Sequence, residues 1–346
     1  MTPKGKRMKL SKTTRRAAFV LGVAALLSFG SAVHAQQQYV MKFATQTLND
    51  VHTEYMQEYK NALEKATNGR IKVELYPAAQ LGAAPRQVEG LRLGTIQAAI
   101  GPAELFVGAD PRLQAVALPA LFKDDAHARR TIIIPSVRKA IADVVESRNL
   151  LLVGITAFGS QSLVFKTPVT KLSDFSGKRV RVLASEGERI SISALGGSGV
   201  PMALPEVLSA LQQGTIDGVN SALPVFVAFK YYDTAANLLD THLWEIVSIA
   251  LVSKRWYDQL PPDLQKAVLE TGSKIEPEVA KWSMDRAAKD SAAWASHGGI
   301  VSTLSADEQA EAEKKVEAAI QPLLQKNPQI NEFYGKLKAG AAAAAK

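Results

Sequence analysis

A helix end, a glycine, Thr-Ile and a short strand occur twice in this chain, as L-R-L-G-T-I-Q-A-A-I-G-P at 91–102 and L-Q-Q-G-T-I-D-G-V-N-S-A at 211–222. In each copy the glycine suits the left-handed residue that closes a helix, and the branched and small residues after it suit a buried strand running into a loop. Two readings stay open at this point: a common junction met twice, or two lobes with equivalent units. An open α/β sheet takes its ligand at the carboxyl ends of its strands, which makes the second reading a statement about function.

The rest of the chain fits an α/β pattern. YVMKFA (39–44), RIKVEL (70–75) and TIQAAI (95–100) read as strands, and 52–68 reads as a helix with Tyr55, Tyr59, Leu63 and Ala66 on one face. Strands alternating with helices imply a sheet with parallel components. In S-G-K-R-V-R-V-L-A-S (176–185), Val180 and Val182 alternate with Arg179 and Arg181, as on a strand entering a buried sheet. Beyond Pro261 the pattern becomes helical over 266–297, with an apolar stripe through Val268, Ile275, Val279, Trp282 and Trp294 and a kink or break expected at Pro277. Ser305 and Glu308 form a capping box for a helix over 306–324, and the Ala-rich end is expected to be disordered.

Seven Lys/Arg precede an apolar run at 17–29 that ends in Val33-His34-Ala35, the pattern of a secretory signal peptide cut after Ala35. The apolar run is shorter than the ~20 residues a membrane-spanning helix needs. Arg15-Arg16 leaves both the twin-arginine and the general secretory route open. The chain carries a net +8, and removing the seven basic residues of 1–35, which hold no Asp or Glu, leaves 8 − 7 = +1. With no basic block interleaved with aromatics, nucleic acid is not an expected partner. Absence of cysteine excludes disulfides, thiolate metal sites and a Cys nucleophile.

Chemistry for an enzyme is scarce. His52, His127, His242 and His297 stand alone in sequence, each expected at the surface or at a cap. Gly196-Gly197-Ser198-Gly199 lacks the last glycine of a nucleophile elbow and reads as a helix-to-strand turn, and neither glycine-rich nucleotide motif occurs. Asp124-Asp125 and Asp217 read as solvated caps and turns. No cofactor or metal is expected, and a ligand-capturing protein that closes at a hinge remains.

V-E-L-Y-P-A-A-Q-L-G (73–82), L-P-A-L-F-K-D-D-A-H-A (118–128), D-F-S-G-K-R-V-R-V (174–182), P-M-A-L-P-E-V-L-S-A-L-Q-Q-G-T-I-D-G (201–218) and F-K-Y-Y-D (229–233) resemble, in order, the dicarboxylate-binding type of TRAP transporter substrate-binding protein. The resemblance implies a two-lobed α/β periplasmic binding protein fold with a hinge, an interlobe cleft and a long C-terminal helix spanning both lobes. It implies a small organic acid as ligand, delivered to TRAP-type membrane permease subunits driven by an ion gradient. The expected organisation is a signal peptide at 1–35, lobe I at 36–158 with about 247–286 returning to it, lobe II at 159–246 with about 287–338 returning to it, and a disordered tail at 339–346. A monomer working in the periplasm is expected. The binding component of an ATP-driven importer and a periplasmic enzyme on a similar two-lobed scaffold are the alternatives.

Arg181 falls where that family places the arginine that pairs with a ligand carboxylate, and a guanidinium offers a planar fork of donors for one; a salt bridge to Glu186 or Glu188 is the competing use. Two positions depart from the family pattern: Gln161 stands in the stretch where a second arginine is common, and Ser221 stands where D-G-Q-E-N-P would put an asparagine. Fewer charged donors point to a single carboxylate on an apolar or aromatic body. Gln46, Pro102 and Glu104 are expected in loops that reach the cleft. Phe158 and Phe226 are candidate apolar walls.

Overall fold

The computed structural model describes residues 37–183 and 185–345. The expected signal peptide and its cut after Ala35 lie outside them. The strands are β1 (Tyr39–Ala44), β2 (Ile71–Tyr76), β3 (Ala98–Pro102), β4 (Leu150–Phe165), β5 (Arg179–Val182), β6 (Ser198–Pro201), β7 (Gly218–Ser221), β8 (Asn237–Ser253) and β9 (Ile300–Thr303). The helices are α1 (Val51–Ala66), α2 (Ala84–Leu93), α3 (Asp125–Ile132), α4 (Pro135–Glu146), α5 (Glu186–Ala194), α6 (Leu204–Gln212), α7 (Leu223–Ala228), α8 (Lys254–Tyr257), α9 (Pro262–Ser296), α10 (Ala306–Lys326) and α11 (Pro328–Ala344).

The strands form one sheet in the order β2-β1-β3-β8-β4-β7-β5-β6, with β9 beside β8. The sheet has two halves of matching construction. In the first, β3 lies parallel to β1 and antiparallel to β8; in the second, β7 lies parallel to β5 and antiparallel to β4. The repeated sequence unit therefore marks equivalent places, with Gly94 (φ 76°) and Gly214 (φ 72°) both in the left-handed region ahead of β3 and β7. The long strands β4 and β8 belong to both halves. They pair antiparallel from Leu150 opposite Ser253 to Phe165 opposite Asn237, and their register shifts at Leu152/Gly154, Ala157/Gly159 and Ser160/Ser162. Such irregularities bend and twist a ladder at a fixed place.

Alternation along the strands gives each half apolar layers on both faces of the sheet. Met41, Phe43 and Ile100 pack on one face of the first half with α1 and the start of α9; Ala44, Ala99 and Ile249 face the other way, toward α4 and α11. In the second half Val180, Val182 and Phe175 pack with α5, and Val164 and Val219 pack with α6 and α7. Helix α9 runs unbroken through Pro277; Val268 and Val279 lie in the first-half core and Trp294 in the second.

Two expectations at the C-terminus are corrected. Helix α10 crosses back, with Ala312 and Val316 in the second-half core but Ile320, Leu323 and Leu324 in the first, and α11 continues there through Ile330, Phe333 and Leu337. The stretch expected to stay with lobe II to 338 thus leaves it after Val316. The end expected to be disordered is helical to Ala344, because small residues allow close approach: Gly340 abuts Val137, and His127 Nε2 lies 2.7 Å from the Ala341 carbonyl.

Candidate ligand-binding site

Strand β5 decides the fate of its two arginines. Val180 and Val182 fill the second-half core, so Arg179 and Arg181 share the opposite face. Arg179, at the strand start, reaches solvent and grips Asp217, with Nε to Oδ2 at 2.9 Å and Nη2 to Oδ1 at 3.0 Å. Asp217 is thus a partner and not an isolated acid. Arg181, nearer the strand end, is 2% exposed; its Nε donates to the Met202 carbonyl at 3.0 Å and its Nη1 to the Asn220 carbonyl at 3.2 Å. Burial lowers the basicity of this guanidinium and nearby Glu188 opposes that shift. An arginine stays charged in either case.

The guanidinium opens onto a cavity of about 210 Å³. Gln46, Thr47, Pro85, Pro102 and Leu105 line it from the first half, and Leu183, Pro201, Met202, Leu204, Ser221 and Val225 from the second. Phe158 and Gln161 on β4 and Ile246 on β8 cross its floor. These are the carboxyl ends of parallel strands and the loops after them, where an open α/β sheet binds ligands. Behind the long strands a second cavity of about 450 Å³ is lined by Ser160 and Ser162, which alternate with Gln161.

Of the positions singled out in the sequence, Gln46, Pro102, Phe158, Gln161, Arg181 and Ser221 line the first cavity. Phe226 does not: it is fully buried against Tyr231 and Trp294 in the second-half core, and its neighbour Val225 takes the wall. Glu104 sits behind the wall, fully buried. It belongs to a polar network joining the two halves of the sheet. Gln161 Nε2 donates to Glu188 Oε1 at 2.8 Å and reaches Glu104 Oε1 at 3.4 Å; Asn220 Nδ2 donates to Gln161 Oε1 at 2.8 Å; and the Leu183 N–H donates to Glu188 Oε2 at 2.7 Å. Burial first, and the Glu188 charge second, push the Glu104 carboxyl well above the usual range.

His52 was expected at the surface or a cap and is buried in the cavity wall. Its ring lies 3.0 Å from Thr47 Oγ1 and 2.7 Å from Ser248 Oγ, with its centroid 4.6 Å from that of Phe158. Burial lowers its pKa to about 3, which keeps it neutral. Met202 and Leu204 were also missed as lining residues, although Met202 directly follows β6 as Leu183 directly follows the parallel β5, and that parallel was the available signal. Among the described residues no helix is long and apolar enough to cross a membrane, and no group of three or more His, Asp or Glu could hold a metal ion.

Two α/β halves that share two strands and enclose a cavity with one fixed cation make a two-lobed solute-binding protein. Residues 43–327 match the DctP family, described as bacterial extracellular solute-binding protein, family 7, and the chain belongs to that family. It is similar to the 2,3-diketo-L-gulonate-binding periplasmic protein YiaO of Escherichia coli, 25% identical over 76% of this chain and 79% of that protein. Its fold is similar to a TRAP periplasmic solute binding protein of Xanthobacter autotrophicus with bound β-D-galacturonate, at 25% identity and a TM-score of 0.79 over 87% of this chain and 99% of the other. It is also similar to the sugar acid binding protein DctPAm of Advenella mimigardefordensis in complex with galactonate, at 20% identity and a TM-score of 0.83 over 89% and 99% of the two chains.

Proposed function

We propose that this protein is the periplasmic binding component of a TRAP-type importer, which captures one small organic acid and hands it to ion-driven membrane permease subunits. It works as a monomer after loss of residues 1–35 and makes no use of nucleic acid. The observation that carries this reading is Arg181: a buried guanidinium held in place by two backbone carbonyls, in the lining of the cavity and with no carboxylate within salt-bridge distance among the described residues. A buried charge without a close counter-ion is costly, and a ligand carboxylate supplies one in bidentate geometry. The acids named for the similar proteins each carry a carboxylate, which supports the same reading.

Closure follows from the two shared strands. Lobe I (36–158, with 247–286) and lobe II (from 159 to 246) meet at the register shift between Ala157 and Gly159, where Gly159 has φ of 125°, a conformation open to glycine. Bending there brings the two sets of strand ends together over the ligand and removes water from the ion pair. Thermal-shift measurements with free acids and their methyl esters test the proposal. At a hundred times its dissociation constant an acid should stabilise the protein by about 2.7 kcal/mol, and its uncharged ester should give little. Equal shifts from ester and acid, or turnover of the acid into product, would contradict it.

A further inference from the structure

The cavity offers far less hydrogen bonding than its polar residues suggest. Twelve of its eighteen lining residues are apolar. Gln46 Nε2 donates to the Gly82 carbonyl at 3.1 Å. Thr47 and Ser248 hold the two ring nitrogens of His52 at 3.0 and 2.7 Å. Both ends of the Gln161 amide are committed, the nitrogen to Glu188 and the oxygen to Asn220, each at 2.8 Å. That leaves the Ser221 hydroxyl, the second N–H of the Gln46 amide and the Arg181 N–H groups not given to Met202 and Asn220 as the side-chain donors of the lining without a protein partner among the described residues.

We infer that the ligand is a monocarboxylate with an apolar body, an aromatic ring or a branched alkyl chain, and that acids rich in hydroxyl groups and dicarboxylates are rejected. This rests on the organic-acid reading above. The carboxylate takes Arg181, with Ser221 beside it. The body lies among Phe158, Leu105, Met202, Leu204 and Val225, and the tilted His52–Phe158 ring pair supplies an aromatic wall for it. A hydroxyl placed against that wall loses its water and gains no partner, which lowers affinity about tenfold or more for each group. A second carboxylate fares worse. It finds no second cation in the lining, and behind Gln161 stand two more buried carboxyls, Glu104 and Glu188, 3.4 and 2.8 Å from its amide nitrogen.

Titration calorimetry of the mature protein with matched probes tests this: phenylacetate against 4-hydroxyphenylacetate, which adds one hydroxyl to the ring, and benzoate and 4-methyl-2-oxopentanoate against galacturonate and succinate. Phenylacetate should bind about tenfold or more tightly than 4-hydroxyphenylacetate. At least one apolar acid should exceed galacturonate and succinate by about a hundredfold, and Arg181→Met should abolish its binding. Met202→Gln, which places an amide on the apolar wall, should fold normally and weaken the apolar acid about tenfold. Tight binding of galacturonate or succinate that depends on Arg181 would overturn the apolar class while leaving the organic-acid reading intact. Binding that ignores Arg181→Met, or none by any probe, would overturn both.

Discussion

Glu104, in the turn after β3, and Glu188, on α5, approach from opposite halves of the sheet and are bridged by the Gln161 amide, 3.4 Å from one and 2.8 Å from the other. Burial raises both carboxyls above their ordinary value of 4.5, Glu104 the further. A carboxyl whose folded-state pKa is raised contributes stability that is complete below its unfolded value and is lost as pH rises through the folded value. The protein should therefore lose melting temperature as pH climbs above about 4.5 from this pair. Glu104→Gln mimics the protonated carboxyl and keeps a donor for Glu188. Melting curves across pH should show a shallower alkaline loss for this variant than for the parent; equal slopes would place the proton elsewhere.

His52 works in the opposite direction. Its imidazole falls from 6.5 to about 3 because burial disfavours the charged form. The unfolded chain binds this proton more readily, so the contribution is present above pH 6.5 and is lost as pH falls toward 3. His52→Gln, still able to meet Thr47 or Ser248, should flatten the acid side of the stability profile, and a melting series below pH 6.5 checks it.

The C-terminal helix is part of the core. A Cβ at Gly340 would collide with Val137 Cγ2, whereas Gly335 on the same helix has nothing within 4 Å. Gly340→Val should cost about 1–3 kcal/mol through overpacking. Gly335→Ala should be neutral or stabilising by up to about 1 kcal/mol, as expected for a helix interior. Chemical denaturation of the two variants separates a docked helix from a loose one.

What could be read in the sequence is what local period and turn chemistry decide. R-V-R-V sorts its valines inward and puts Arg181 at a strand end, and the repeated glycine junction marks corresponding strands in the two halves. Partners distant in sequence could not be read. His52 is buried because Ser248, 196 residues away, meets its ring, and nothing near His52 announces that. Glu104 and Glu188 likewise meet only when the halves do. Phe226 and Val225 differ by one helical step, about 100° around the axis, which is enough to exchange core for cavity. The Ala-rich end looked too poor in large side chains to be ordered, yet small residues are what its close packing on Val137 requires.

The central claim is that Arg181 is the ligand's charge partner, and titration calorimetry of Arg181→Met, Arg181→Lys and Arg179→Met with the acid that most stabilises the parent tests it directly. Arg181→Met leaves a desolvated carboxylate unpaired, which costs about 3–5 kcal/mol in buried pairs, so affinity should fall more than about a hundredfold. Arg181→Lys should also bind poorly, because an ammonium cannot reproduce the fork. Arg179 spends its guanidinium on Asp217 at the surface, so Arg179→Met should leave affinity unchanged. An Arg181→Met protein that melts like the parent and binds within about threefold of it would show that the guanidinium only braces the Met202 and Asn220 carbonyls, and the site would have to lie elsewhere.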